Sequence, residues 1–135
     1  MERYRIFDHE ADTGFEVYGR TIEELFRNGV YALFSLITDI EAVQPLVEKR
    51  ITVNGNGELL INLLNDSLYM WETEGFLPKT LSIHVGRGRA EGVLRGEIFD
   101  PAKHLIKQEV KAVTYHKFRI VEEKGIFRAT IVVDV

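Results

Sequence analysis

The feature that most limits how this chain can fold is the scarcity of helical periodicity. Only two stretches repeat their apolar residues every three or four positions. Behind Thr21-Ile22-Glu23-Glu24, a capping box in which the Thr21 hydroxyl serves the free N–H of Glu24, come Ile22, Leu25, Phe26, Val30, Leu33, Phe34 and Ile37. They predict an amphipathic helix from about Thr21 to about Ile37. Leu59, Leu60, Leu63, Leu64, Leu68 and Trp71 predict a second helix that stops where Gly75 and Pro78 appear. These apolar residues read as core, because any surface helix needs a buried stripe.

Most of the remaining chain reads as β-structure. Tyr4–Phe7 and Gly14–Gly19 read as short strands around a polar loop, Asp8 to Thr13. Arg50–Val53 is a strand closed by Asn54-Gly55-Asn56-Gly57. From Leu81 onward alternation dominates, with a hairpin at Gly86-Arg87-Gly88-Arg89 and a strand ending near Phe99. Asp100–His104 breaks the sheet, and Gln108–Ile120 and Ile126–Val135 form two long strands joined at Glu122–Gly125. The expected fold is therefore α+β: a single domain over residues 1–135, a largely antiparallel or mixed sheet of about seven strands, and two main helices on one face.

Composition narrows the chemistry. The 135 residues are enough for one core, and the absence of cysteine excludes disulfides, thiolate zinc sites and Cys nucleophiles. A metal would need carboxylates, carbonyls or the 4 histidines. No apolar run approaches the ~20 residues of a membrane helix. The start lacks a secretory h-region, so a soluble, cytoplasmic protein is expected. The net charge of −4 argues against a protein devoted to coating nucleic acid. Residues 1–66 hold 6 basic and 12 acidic side chains, which leaves 11 and 9 of the 17 and 21 for residues 67–135. That polarity hints at partners rather than fold. The Gly/Arg segment at 86–89 matches no phosphate-binding fingerprint and reads as a hairpin tip.

Three polar constellations remain. Asp8-His9-Glu10-Ala11-Asp12 places carboxylates in a loop, where they could present hard oxygen ligands to a divalent cation or simply bond nearby backbone. At the other end, alternation puts Thr130, Val132 and Asp134 on one face of a strand whose last residue, Val135, adds its α-carboxylate. If that end lies beside the acidic loop, several carboxylates converge and call for a cation; otherwise the terminus is a solvated strand end. In Val110–His116, alternation sends Lys111, Val113 and Tyr115 to one face and Ala112, Thr114 and His116 to the other. Lys111 and His116 should then not share a site unless a bulge intervenes. His84 and His104 have no partners in sequence.

Taken together, Asp8-His9-x-Ala11-Asp12, Thr21-x-Glu23-Glu24, Lys111-Ala112-x-Thr114-Tyr115-His116 and the terminal Val132-Val133-Asp134-Val135 resemble the archease family, in order and across the whole chain. Glu10 departs from the family's usual Thr in the first motif. The resemblance implies a non-enzymatic accessory protein of the RtcB-type tRNA-splicing RNA ligase, one that promotes guanylylation of the ligase and its multiple turnover. It implies a divalent metal held by Asp12, Asp134 and Val135, with Asp8 in support. Lys111, with His9, Thr114 and His116, would contact partner or nucleotide. An all-oxygen site suits Ca²⁺ first, with Mg²⁺ or Mn²⁺ as alternatives. Direct RNA contact is left open. Two competing readings are a small metal-dependent hydrolase using the same carboxylates and a plain protein-interaction adaptor. No Ser/His/acid grouping suggests a nucleophilic triad.

Overall fold

A computed structural model describes residues 1–8 and 13–135, with eight strands and two helices. In chain order these are β1 (Tyr4–Asp8), β2 (Thr13–Gly19), α1 (Ile22–Ile37), a 3-10 turn (Ile40–Ala42), β3 (Val47–Asn54), α2 (Leu59–Glu74), β4 (Phe76–Val85), β5 (Arg89–Ile98), β6 (Ala112–Val113), β7 (Ile120–Glu123) and β8 (Ile126–Asp134). All strand pairs are antiparallel. The expected α+β, mostly antiparallel architecture is what forms, but the strands divide between two sheets. One runs β1-β2-β8-β6, with β7 also on β8; the other runs β3-β5-β4. In the smaller sheet α2 carries the chain from β3 to β4, and β5 then inserts between them.

The capping box operates as its residue types require. The Thr21 hydroxyl accepts the Glu24 N–H at 3.0 Å, while the Glu24 carboxylate accepts the Arg20 N–H at 2.9 Å. Behind this cap, α1 is more than amphipathic. Every residue from Asn28 to Ile37 is buried, because the helix packs against β2 of one sheet and β4 of the other. A helix with protein on both sides must be apolar all round. Its two polar interruptions are satisfied internally: Asn28 donates to the Tyr18 carbonyl and accepts from Arg3 Nε, and Ser35 donates to the Ala32 carbonyl. Gly29 lets α2 approach, since a Cβ there would sit 3.2 Å from Leu60 Cδ1. At its far end α2 stops on Gly75, whose φ of +68° is the left-handed cap favoured by glycine. Pro78 marks no stop; it lies inside β4, next to a bulge between Pro78 and Thr80.

The predicted long strand Gln108–Ile120 does not form as one element. Residues near its start turn back onto α1: Ile106 bridges Thr38, and the Lys107 N–H reaches the Ile37 carbonyl at 2.7 Å. Only Ala112–Val113 and Ile120–Glu123 pair with β8, one at each end of it, and the chain leaves the sheet between them. Outer-edge groups that a neighbouring strand would have satisfied are satisfied instead by a side chain. Asn65 of α2 accepts the Val113 N–H and donates to the Val113 carbonyl, both at 2.9 Å. The β7–β8 turn is a two-residue hairpin at Lys124-Gly125, with φ of +54° and +77°.

Candidate functional site at the ends of β1, β2, β6 and β8

One row across the larger sheet brings the predicted motifs together. Asp8 of β1 pairs with Thr13 of β2, Thr13 with Val133 of β8, and Val133 with Val113 of β6. One step further along β8, Asp134 pairs with Ala112, and its carbonyl accepts the Lys111 N–H at 2.7 Å. Thr114 donates its N–H to the Val132 carbonyl at 2.9 Å. The Lys111–Thr114 motif therefore lies along the carboxyl-terminal end of β8, and the start of β2 flanks that strand on its other edge.

Along β8, Ala129, Ile131 and Val133 are buried while Arg128, Thr130 and Asp134 are exposed and Val132 is half-buried. Asp134 thus shares the outer face with Thr130 and Val132, as the alternation predicts. Val135 follows it, 52% exposed. The Asp134 carboxylate is an accessible oxygen donor next to Val135. His9, Glu10, Ala11 and Asp12 lie outside the described residues, as does the Asp8 side chain. Among the described residues no group of three or more acidic or histidine side chains could hold a metal. The described share of the predicted ligand set is Asp134 with Val135, whose hard oxygens fit an alkaline-earth cation or Mn²⁺.

Side chains of α2 hold the neighbouring motif in place. Besides the Asn65 clamp on Val113, the Tyr115 hydroxyl donates to Asn62 Oδ1, and Asn62 Nδ2 donates to the Asn54 carbonyl at 2.8 Å. Partial desolvation raises the adjacent Asp66 carboxyl from its ordinary value. Lys111 is exposed and makes no ion pair among the described residues. Beyond Thr114 the chain departs from regular alternation. Tyr115–Phe118 is a turn closed by the Phe118 N–H on the Tyr115 carbonyl at 3.1 Å, with Lys117 at φ +53°. This turn carries His116 onto the outer face of the sheet, where it lines a groove of about 820 Å³ with Phe7, Thr130 and Val132. The sequence gives little sign of the asparagine clamps, because Asn65 and Val113 are 48 residues apart. A pair of asparagines three apart on a helix was the only visible trace.

His104, without a partner in sequence, proves structural. Its Nδ1 accepts the Asp100 N–H at 3.0 Å, so Nε2 carries the proton and donates to Glu97 at 3.1 Å. The Lys103 ammonium, the Gln44 N–H and His104 together hold the Glu97 carboxyl down at about 2.

Residues 4–135 match the model of the Archease protein family. The chain belongs to the archease family. It is 36% identical to the protein archease of Archaeoglobus fulgidus, covering 98% of this chain and 99% of that one. It is 39% identical to that of Methanopyrus kandleri, covering 94% and 95%. The solution structure of Methanobacterium thermoautotrophicum protein 1598 superimposes with a TM-score of 0.84 at 32% identity over the full length of both chains. A Thermotoga maritima archease described as a possible chaperone shares the fold, with a TM-score of 0.64 at 19% identity over 96% of this chain and 94% of that one. No helix among the described residues is long and apolar enough to cross a membrane.

Proposed function

We propose that this archease is an accessory activator of an RtcB-type tRNA-splicing RNA ligase, acting in the cytoplasm without catalytic chemistry of its own. The supporting observation is the row Asp8–Thr13–Val133–Val113, which brings the ends of both acidic segments and the Lys111 motif to the same end of four neighbouring strands. In this reading Asp12, Asp134 and the Val135 carboxylate hold a divalent cation, Ca²⁺ first and Mg²⁺ or Mn²⁺ as alternatives, with Asp8 in support. The cation neutralises the gathered carboxylates and offers a free coordination position to a partner's oxygen. Lys111, His9, Thr114 and His116 meet the ligase or its nucleotide. Backbone pairing of Lys111 and Thr114 to Asp134 and Val132 of β8, with the Asn65 clamp on Val113, supports a docking surface that is preorganised rather than assembled on contact.

Calorimetric titration tests the site. Wild-type protein should bind Ca²⁺ or Mn²⁺, and Asp12→Ala and Asp134→Ala should each abolish binding with the fold intact. A short C-terminal extension, which moves the terminal charge away, should weaken it where an N-terminal one does not. Unchanged affinity in both alanine variants would refute the site.

A further inference from the structure

A separate cavity of about 410 Å³ lies between the residue before β1, the edge strand of the larger sheet, and β4, an edge strand of the smaller one. Arg3 lines it from the first side and Lys79 and Thr80 from the second, with Arg27 and Tyr31 of α1 and Glu41 of the 3-10 turn between. Three cations less one carboxylate give this lining a formal charge of +2. Among the described residues none of the three cations makes an ion pair. The acidic side chains nearest them in sequence are engaged elsewhere and do not line the cavity: Glu2 with Arg5 at 3.7 Å, Glu24 on the Arg20 N–H and Glu23 on the Val85 N–H.

Two of the cations are held in position without being neutralised. Arg3 donates its Nε–H to Asn28 Oδ1 at 3.0 Å, and its guanidinium lies 4.0 Å from the centre of the Tyr31 ring. Both terminal nitrogens stay without a partner among the described residues. Lys79 stands where β4 bulges between Pro78 and Thr80, and its ammonium donates to the Val43 carbonyl at 2.9 Å and the Glu41 carbonyl at 3.4 Å. Bulges re-aim side chains, and this one leaves a half-buried lysine in the cavity lining. Arg27 is exposed and has no hydrogen bond among the described residues. Glu41 accepts the Tyr31 hydroxyl on Oε1, which leaves its second oxygen unengaged. Like charges gathered in one concave lining favour an anion.

We propose that this cavity binds a small phosphate monoester that carries hydroxyl groups, in chemical class a sugar phosphate. The phosphate meets Arg27, the terminal nitrogens of Arg3 and the Lys79 ammonium, while the free oxygen of Glu41 and the Thr80 hydroxyl take the sugar hydroxyls. Guanidinium N–H pairs match phosphate oxygens two at a time. A phosphate monoester carries nearly two negative charges at neutral pH, which balances the lining, whereas a carboxylate carries one. A volume of about 410 Å³ stands at the small end of ligand sites. The Tyr31 ring is 8% exposed and already faces the Arg3 guanidinium, so a nucleobase finds no free ring among the described residues of the lining. The proposal uses none of the residues assigned to the cation or the ligase, and it goes beyond the activator reading.

The test is an amide NMR titration of the full-length protein with ribose 5-phosphate in metal-free buffer at constant ionic strength, with inorganic phosphate, ribose and adenosine 5′-monophosphate in parallel. Saturable shifts are expected at the Arg3, Arg27 and Lys79–Leu81 amides, and none at Lys111–Thr114 or Asp134. Ribose should leave the spectrum unchanged, inorganic phosphate should bind severalfold more weakly than ribose 5-phosphate, and the nucleotide should bind no more tightly. Arg27→Ala should weaken ribose 5-phosphate binding at least about tenfold, since it removes charge-assisted hydrogen bonds. Its melting temperature should not fall, because the Arg27 side chain is exposed and unpaired. Glu41→Gln keeps an acceptor for the Tyr31 hydroxyl and removes the opposing charge, so inorganic phosphate should bind it severalfold more tightly. Absence of saturable shifts at these amides, equal affinity for ribose 5-phosphate and inorganic phosphate, tighter binding of the nucleotide, unchanged affinity in Arg27→Ala, or weaker phosphate binding in Glu41→Gln would each overturn the proposal.

Discussion

Replacing Asn65 should reveal how the Lys111–Thr114 motif is held. The Asn65 amide satisfies both backbone groups of Val113, which is only 2% exposed, at 2.9 Å each. Asn65→Ala removes two hydrogen bonds whose net contribution is about 1 kcal/mol apiece, and a buried group left without any partner costs about 1–3 kcal/mol. Asn65 is half-buried beside an open pocket, so water can replace part of the loss. A destabilisation of about 2 kcal/mol follows, or about 7 °C in Tm for a domain of this size. Asn65→Asp should be at least as damaging at neutral pH. It keeps an acceptor for the Val113 N–H but sets a carboxylate oxygen against the Val113 carbonyl, next to Asp66. Its deficit should shrink as pH falls and the new carboxyl protonates, since the acid form can donate to that carbonyl. Urea denaturation at pH 7 and pH 4 measures both effects, and hydrogen exchange at the Val113 and Thr114 amides reads the local loosening. If Asn65→Ala melted within about 1 °C of wild type with those amides still protected, the clamp would be no support for the motif.

Other outcomes follow from the same contacts. Glu97 has its carboxyl depressed from 4.5 to about 2, so its stabilising contribution is full above pH 4.5 and is lost as pH falls toward 2. Glu97→Gln should flatten the acid limb of stability against pH in that window, measured as urea midpoints. Thr21→Ala removes the helix cap of α1 and should cost about 1 kcal/mol by chemical denaturation. Gly14→Ala places a methyl group against the Ile131 carbonyl and the Phe7 ring, where β2 meets β8. It should destabilise the sheet by about 1–3 kcal/mol in the same assay.

Both helices could be placed from sequence because their signals are local: a capping box and apolar spacing for α1, a leucine stripe and a terminal glycine for α2. The β4–β5 and β7–β8 hairpins were legible for the same reason, through Gly86–Gly88 and Lys124-Gly125. Alternation also put Asp134 on one face with Thr130 and Val132, and that face proves to be the outer one. What escaped is non-local. Two sheets rather than one follow from α1 being enclosed, and the polar exceptions Asn28 and Ser35 gave little warning because each finds its partner inside the fold. Residues 108–120 carry enough β-branched and aromatic residues to read as one strand. Their path is set instead by Thr38, Ile37 and Asn65, far away in sequence. Alternation separated Lys111 from His116, and the chain's departure at the Tyr115–Phe118 turn makes strand parity irrelevant beyond Thr114. At the site, chain order alone could not show that the start of β2 and the Lys111 motif flank opposite edges of β8.

The most direct test of the activator reading is ligase guanylylation. An RtcB-type ligase with GTP, Mn²⁺ and substoichiometric wild-type protein should acquire GMP faster and join more RNA ends per ligase than it does alone. Asp134→Ala and Lys111→Ala should lose that stimulation while remaining folded. Guanylylation and turnover identical with and without this protein would contradict the account.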